Sequence, residues 1–540
     1  MKKLTYIFFI VFIIFFNKKM EAAEWQWSVK VNDFISPETK DHPQAFMWIP
    51  PDCKHVRAVI VGQHNMIEEG IFEDAAFRAK MNQLGIAEIW ITPGISQTWD
   101  PRTNVQQIFD DMLDSLAAVS GYQELKYAPV IPIGHSAMAT FPWNFAALNN
   151  DRTLAILSIH GDAPSTNMTG YGRDNLEWSN LKIDGIPGLT IKGEYEWRYA
   201  RVQPGLNYKK ANSNACVSFL CDAGRGHFDI SDQMIDYLCM FIEKAVIYRL
   251  PKNQAVDKPV KLKPVNPKLG WLADRWHVDS IPNALAAPFS KYTGNKDDAF
   301  WYFDKEIAQK TESIYAQQRG KLKQNLGYAS KNQLLPYNPK HFYGYLPKFE
   351  PDSDGVTFHL STAFTDSLHL NKADKHAKIK SVITRICGPV MKLNDSVFRV
   401  QFYRMGLNNT KRTSDICLML SNDGDEKFKS AVQQCLLKIP YPINEGKEQT
   451  ICFDTIPNIK ASAKSVFLNA LSTSGMKVYY YVQEGPAEVE GSELKITSIP
   501  PKANYPVKVT VVAWQYGKTV GDKIKTAEPK TRCFYIERNN

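Results

Sequence analysis

The sequence has no dense run of lysine and arginine, no Cys-x-x-Cys motif and, beyond its first residues, no apolar stretch long enough to cross a membrane. The first absence argues against a nucleic-acid-binding protein, and the second, together with the lack of zinc-like Cys/His spacing, argues against a metal site. The third argues against further membrane-spanning segments. Nine cysteines in 540 residues are too few for a disulfide-stapled scaffold, and their odd number leaves at least one thiol unpaired in a monomer.

The N-terminal residues have the composition of an export signal. Two lysines precede an apolar run over Leu4–Phe16, and small residues follow at Ala22 and Ala23. The run is shorter than a membrane span, so residues 1–23 are expected to form a Sec-type signal peptide. The first cysteine is Cys53, which argues against a lipid anchor. The mature chain is therefore expected to be periplasmic or secreted, mildly basic and not attached to a membrane.

Between about residues 45 and 250, short apolar runs alternate with amphipathic segments. Runs that are apolar on both faces are typical of buried parallel strands. Apolar residues at i, i+3 and i+4 spacing predict helices over 105–119 and 235–246. The alternation predicts an α/β domain over 24–250, with a doubly wound, mostly parallel sheet. This is the expected catalytic domain. The expected strands are 58–61, 86–92, 130–133, 154–159, 189–191 and 217–220.

After residue 250 the composition and the hydrophobic pattern of the chain change twice. Residues 251–350 begin as a linker rich in proline and lysine and continue as an aromatic-rich segment with a helix expected over 299–319. This segment could pack beside the first domain or lead away from it. Alternating patterns then predict a β-sandwich module over 351–459 and a further β module over 460–540. The last module resembles the immunoglobulin-like domains appended to many secreted bacterial enzymes. Structural spacing is the expected role of these modules, with polysaccharide binding as the alternative. Strands are expected over 396–402, 494–496 and 507–511.

One short motif stands between a predicted strand and a predicted helix. It is Gly134-His135-Ser136-Ala137-Met138. A serine hydroxyl becomes a nucleophile only when it is exposed and activated by a base, and a tight strand-to-helix turn with small neighbours provides the exposure. The motif resembles the Gly-x-Ser-x-Gly nucleophile elbow of α/β-hydrolases, which implies that fold, with Ser136 as nucleophile. Met138 departs from the pattern, and Ala139 is expected to supply the small residue instead.

The base and the acid of such a site are expected farther along the chain. His227 lies in a glycine-flanked stretch before the last predicted helix, where the α/β-hydrolase resemblance places the histidine. The same resemblance implies Glu196, three residues after Gly193, as the acid that orients that histidine. Glu194 and Asp162 are the alternatives for the acid. The order serine, acid, histidine along the chain matches the order in this fold.

An oxyanion hole requires two preorganised N–H donors. The resemblance implies the backbone N–H of Ala137 as the first donor. The second is expected in the loop after the strand at 58–61, from the backbone N–H groups of residues 64–66, with Asn65 and Met66 as candidates. A direct role for the His64 side chain is not expected. This chemistry requires no metal and no organic cofactor.

Four residues near the candidate acid and base suggest the substrate: Trp197, Arg198, Arg201 and Arg225. Aromatic rings stack on sugars and arginine binds carboxylates in a two-pronged geometry, so an acidic sugar is the expected ligand. The chain resembles secreted carbohydrate esterases, in particular α/β-hydrolase pectin methylesterases. That resemblance implies hydrolysis of methyl esters of uronic acids in a polysaccharide, with no nucleic-acid partner. A sugar O-acetylesterase, a serine peptidase and a non-catalytic glycan-binding protein are the alternatives.

Overall fold

The computed structural model describes residues 25–166, 174–196, 199–404, 409 and 411–539. The expected signal peptide therefore lies outside the described residues. Over the described part, no helix combines the length and the apolar character needed to cross a membrane.

The first half of the chain forms one eight-stranded sheet in the order β1-β2-β4-β3-β5-β6-β7-β8. The strands from β3 onward pair in parallel, and β1 and β2 add an antiparallel edge. This confirms the predicted α/β class with a mostly parallel sheet. The strands are β1 (Trp27–Lys30), β2 (Gln44–Trp48), β3 (Ala58–Gln63), β4 (Ile86–Thr92), β5 (Val130–His135), β6 (Ile156–Ile159), β7 (Pro187–Gly193) and β8 (Cys216–Asp222).

Helices cover both faces of this sheet because successive strand side chains point to opposite sides. The helices are α1 (Glu68–Phe72), α2 (Ala75–Leu84), α3 (Val105–Ser120), α4 (Phe141–Leu148), α5 (Tyr199–Ala211) and α6 (Asp232–Arg249). Ile60 and Trp90 belong to one apolar core, together with α2 and α6, whereas Val59 and Ile89 belong to the other, together with α3.

The segment after residue 266 packs beside the sheet rather than leading away from it. A small antiparallel sheet of β9 (Trp271–Asp274), β10 (Ala287–Pro288) and β11 (Ala299–Tyr302) lies against β8, where the Tyr302 hydroxyl donates to the Phe219 carbonyl at 2.6 Å. The helix expected from residue 299 begins later, as α7 (Lys305–Gln317), because the Asp304 side chain caps it by accepting the Ile307 N–H. Residues 299–302 are instead a buried strand.

The second half of the chain is built from small sheets that are antiparallel, except that the short strand Ile459–Lys460 pairs in parallel with the last strand, Lys530–Glu537. This arrangement is compatible with the expected β-sandwich modules. The strands are β12 (Asn325–Ser330), β13 (Gln333–Leu334), β14 (Thr357–His359), β15 (Ser361–Thr365), β16 (Val382–Cys387), β17 (Val390–Lys392), β18 (Val397–Val400), β19 (Asp415–Asn422), β20 (Ala431–Lys438), β21 (Ile451–Phe453), β22 (Ile459–Lys460), β23 (Ser465–Phe467), β24 (Ala470–Ser472), β25 (Tyr479–Glu484), β26 (Ala487–Glu490), β27 (Glu493–Ile496), β28 (Val507–Trp514) and β29 (Lys530–Glu537).

The β-rich half, residues 320–539, packs directly on the α/β half. The apolar core around α3 continues into side chains of the C-terminal strands such as Phe453 and Val509. Lys502 Nζ donates to Glu124 Oε2 at 2.7 Å, and Arg404 Nη1 donates to Glu69 Oε1 at 3.1 Å. Both apolar and ionic contacts therefore join the two halves.

Candidate active site

Ser136 stands in a sharp turn where β5 ends and α4 is about to begin. Its φ angle is +50°, a left-handed backbone conformation that costs a non-glycine residue about 1–2 kcal/mol. Gly134 permits this turn, since a Cβ atom there would lie 2.1 Å from the Met138 carbonyl oxygen. Ala139 supplies the small residue on the other side, because a Cβ atom at Gly161 would lie 2.0 Å from its methyl group. This is the strained geometry of a nucleophile elbow.

Two further side chains complete a hydrogen-bonded chain from Ser136. His227, in the loop between β8 and α6, places Nε2 at 2.9 Å from the Ser136 Oγ. Its Nδ1 is hydrogen-bonded to Oε2 of Glu196, which lies in a short turn directly after β7. The Gly193 N–H donates to Glu196 Oε1 at 2.9 Å and fixes the carboxylate. The three residues are thus placed as the serine, base and acid of a triad.

The two alternative acids have other partners. Glu194 accepts a hydrogen bond from the Gly224 N–H and pairs with Lys429 Nζ, both at 2.7 Å. Asp162 is buried beside α4, where the Thr140 hydroxyl donates to its Oδ2 at 3.4 Å. Of the three candidates, Glu196 is the one whose carboxylate contacts the His227 ring.

The surroundings of the triad set its charge state. Burial lowers the pKa of His227 below its ordinary value, although the hydrogen bond that its Nδ1–H donates to Glu196 opposes that change. Burial alone would raise the pKa of Glu196, but the neighbouring His160 and His227 outweigh it and hold that pKa well below the usual range. Near neutral pH the imidazole is therefore uncharged and the carboxylate is charged, which is the state a general base and its orienting acid require.

His160 is a member of this cluster that the sequence analysis did not identify. It follows β6, is fully buried, and has a φ angle of +48°. Its Nδ1 is hydrogen-bonded to Glu196 Oε1, while its Nε2 has no partner among the described residues. Its position at the carboxyl end of a parallel strand, where functional side chains of such sheets gather, was the available signal.

The N–H groups expected to form the oxyanion hole differ in whether the structure leaves them free. The N–H of Ala137 enters no sheet or turn hydrogen bond with the described backbone, so it is available beside Ser136. The N–H groups of Asn65 and Met66 are not available, since both donate to Glu68 Oε2, at 3.1 and 3.0 Å. The His64 N–H donates to the carbonyl of a residue in β4. The second donor is therefore not among residues 64–66.

Glu68 explains why this loop cannot supply a donor. It is completely buried in the first turn of α1, and burial raises its pKa to about 7. Besides the two loop N–H groups it accepts the His135 N–H at 2.8 Å. The same carboxyl group thus ties the loop after β3 to the residue that precedes Ser136, a structural role that no local sequence pattern revealed.

The structure describes two of the four expected substrate-binding residues, and only one of these two lines the cleft. Trp197 and Arg198 lie outside the described residues. Arg201 is half-buried and lines the cleft that Ser136 opens into. Arg225 does not line this cleft, because its guanidinium is bound by Asp229 at 3.5 Å and by Asp423 at 2.6 Å. The Arg225 contacts connect the histidine loop to the β-rich half.

The cleft itself has a volume of about 710 Å³. The α/β half contributes the triad together with Tyr195 and Arg201. The opposite wall comes from the β-rich half, through residues 323–326, 431–434, Phe342 and His369. The second half of the chain therefore does more than act as a spacer, since it forms one side of the site.

Two groups of described residues have the composition of a metal site. The first is His160, Glu196 and His227, whose hydrogen bonds to one another already use the carboxylate. The second is Asp274, His277 and Asp298, in which Arg275 Nε binds both oxygens of Asp298 at 2.9 Å. In the second group the Asn283 N–H also donates to Asp274 Oδ2 at 2.5 Å. The carboxylates of both groups are therefore already engaged by protein donors.

No protein-family model and no curated protein matches the chain. Among solved structures it is similar to the S-formylglutathione hydrolase FrmB from Staphylococcus aureus, with 12% identity over 41% of this chain and 98% of that chain and a TM-score of 0.28. An arylesterase gives 14% identity, 42% and 88% coverage and a TM-score of 0.29. LpqC, a poly(3-hydroxybutyrate) depolymerase from Bordetella parapertussis, is 11% identical over 43% of this chain and 92% of that chain, with a TM-score of 0.27. Such low values carry no conclusion about activity, so the chemistry is inferred from the site.

Proposed function

We propose that the protein is a serine esterase that hydrolyses carboxylic esters through Ser136, His227 and Glu196. The observation that carries this proposal is the hydrogen-bonded chain from the Ser136 Oγ through both nitrogens of His227 to Glu196. It starts from a serine held at a φ angle of +50° and opens into a cleft. A structural serine would need neither the strained backbone nor an oriented base.

The reaction follows from this arrangement. His227 Nε2 accepts the proton of the Ser136 hydroxyl as its oxygen attacks the ester carbonyl, and Glu196 stabilises the resulting imidazolium. The Ala137 N–H is placed to bind the developing oxyanion. His227 then returns the proton to the leaving alcohol, and the acyl group stays on Ser136. Water activated by the same histidine releases the acid and restores the serine.

For the substrate we propose an ester of an acidic polysaccharide, with methyl esters of uronic acids in pectin as the specific case. Arg201 supports this choice, because it lines the cleft and forms no ion pair with a described residue. Glu196 supplies the single carboxylate of the cleft wall within the described ranges, and its oxygens are engaged. The cleft is therefore suited to an anionic ligand. We further propose a periplasmic or secreted location, on the basis of residues 1–23.

The test is methanol release from methyl-esterified pectin by the purified chain. Ser136→Ala should abolish release and labelling by a fluorophosphonate probe while the circular dichroism spectrum stays unchanged. Acetylated xylan and a chromogenic peptide, assayed in parallel, identify an acetylesterase or a peptidase by their own products. Full turnover by Ser136→Ala, or an unlabelled wild-type protein, would refute the serine mechanism.

A further inference from the structure

We propose that Phe342 and Lys323 of the β-rich half form, with Arg201, a saccharide subsite that binds an unesterified uronic acid residue next to the ester attacked by Ser136. The inference rests on the proposed esterase function and specifies its substrate: an acidic polysaccharide in which free carboxylates and esters occur side by side.

Phe342 supplies an apolar surface at the mouth of the site. Its side chain is 64% exposed, yet its ring centroid lies 6.1 Å from that of His227. It rests edge-on against Phe228 at 5.2 Å. A large aromatic ring left open to solvent next to a catalytic base is suited to stacking on the apolar face of a sugar ring.

The backbone of Phe342 is held in place from β20. Gln434 Nε2 donates to the Phe342 carbonyl at 2.9 Å, and Gln433 Nε2 donates to the Tyr343 carbonyl at 3.1 Å. Tyr343 stacks on Phe228 at 5.8 Å with an interplanar angle of 11°. The aromatic surface is thus preorganised, which reduces the entropy lost when a ligand is bound.

Two cations line the same cleft as Phe342, one from each half of the chain. Lys323 is exposed and Arg201 is half-buried, and both line the cleft. Neither forms an ion pair across the described part of the protein. Lys323 contributes to lowering the pKa of Asp279, but that carboxylate is already bound by Lys429 Nζ at 2.6 Å. Both cations are therefore available for a ligand carboxylate.

The charge of the substrate indicates that these cations bind a carboxylate on a neighbouring sugar and not the reacting group. A uronate methyl ester is neutral before hydrolysis, so the reacting group offers them no charge. A free carboxylate on the adjacent sugar is charged in the ground state and in the transition state alike. Its binding would therefore lower KM without changing kcat. A fully esterified chain would lack this interaction.

The experiment compares two trigalacturonates, one methyl-esterified only on its central sugar and one on all three, with p-nitrophenyl acetate as a small neutral ester. Wild type should favour the singly esterified trimer. Lys323→Gln should raise KM for that trimer about tenfold, the effect of losing one charged hydrogen bond, and should reduce the preference accordingly. The matched control is Lys340→Gln, an exposed lysine on the Phe342 loop that does not line the cleft. Phe342→Ala should raise KM for both trimers.

Hydrolysis of p-nitrophenyl acetate separates the two proposals. If Ser136→Ala retains that activity, the esterase mechanism fails. If the wild type cleaves p-nitrophenyl acetate in a Ser136-dependent manner but cleaves neither trimer, or cleaves both equally well, the subsite is refuted and the esterase stands. Equal KM values for Lys323→Gln and Lys340→Gln would refute it as well.

Discussion

Replacing Glu196 by glutamine tests the central assignment, and the structure predicts how the new side chain would lie. Gly193 N–H and His160 Nδ1 both contact Oε1, so the amide oxygen of the glutamine should remain on their side. The amide NH₂ would then face His227 Nδ1. Because that nitrogen would have to accept a hydrogen bond, the proton would move to Nε2, where it would block acceptance of the Ser136 proton.

The expected loss is large. Holding the base in the wrong tautomer lowers kcat about 10⁴-fold in a serine–histidine–acid triad, which is about 5.5 kcal/mol of transition-state stabilisation. KM should change little, because Glu196 acts through His227 rather than on the substrate. The assay is p-nitrophenyl acetate hydrolysis under saturating conditions, with fluorophosphonate labelling as a second measure of Ser136 reactivity.

The matched control is Asp162→Asn, the same chemical change at an alternative acid. Asp162 lies beside Thr140 and not against the His227 ring, so kcat should remain close to that of wild type. Glu194→Gln is less informative, because it removes one of the two carboxylates that pair with the buried Lys429, so that a change in activity could follow from a loss of stability. A large loss of kcat in Asp162→Asn with none in Glu196→Gln would contradict the assignment.

Three other outcomes are expected. Since burial lowers the pKa of His227, kcat/KM should rise with pH through a midpoint below 6.5 and then level off; a midpoint above that value would argue against His227 as the base. His160→Ala should lower kcat but not KM, and His160→Asn, whose amide can donate to Glu196, should restore part of it; equal activity in both variants would show that His160 does not position the acid. Gly134→Ala should destabilise the protein by about 3 kcal/mol or more in urea unfolding, because its Cβ would meet a backbone oxygen at 2.1 Å. The same change at Gly205, where the nearest atom would lie 3.6 Å away, should be tolerated.

Features that depend on a few consecutive residues were accessible from the sequence. Strand β4 has the predicted bounds, and α3 spans Val105–Ser120 against an expected 105–119, because a buried strand and an amphipathic helix each have a distinct hydrophobic period. The serine turn was recognisable because its strained geometry requires small residues at fixed positions. Glu196 and His227 could be ordered along the chain, since each follows a recognisable strand.

Features that depend on distant partners were not accessible. Asn65 and Met66 were reasonable oxyanion donors by position, but their N–H groups are used by the buried Glu68 carboxyl group. Arg225 was a reasonable ligand for an acidic sugar by its position in the sequence. In the structure its guanidinium is bound by Asp423, about two hundred residues away along the chain. Local composition predicts the chemical character of such groups, but it does not predict which distant residues form hydrogen bonds or ion pairs with them.

The structure differs most from the sequence-based expectation in the role of the β-rich half. Its alternating strand patterns suggested only a structural spacer. Glu69 and Glu73, in and just after α1, are buried, and burial raises the pKa of Glu69 to about 7. Arg404 pairs with both carboxylates, and Arg412 Nη1 donates to the Asn65 carbonyl at 2.6 Å. Arg385 also pairs with Glu69, at 3.2 Å. Without Arg385 and Arg404, two acids would share an apolar environment without a countercharge, which is a strongly destabilising arrangement. Because α1 also carries Glu68, which anchors the residue before Ser136, the β-rich half supports the Ser136 turn as well as forming the opposite wall of the cleft.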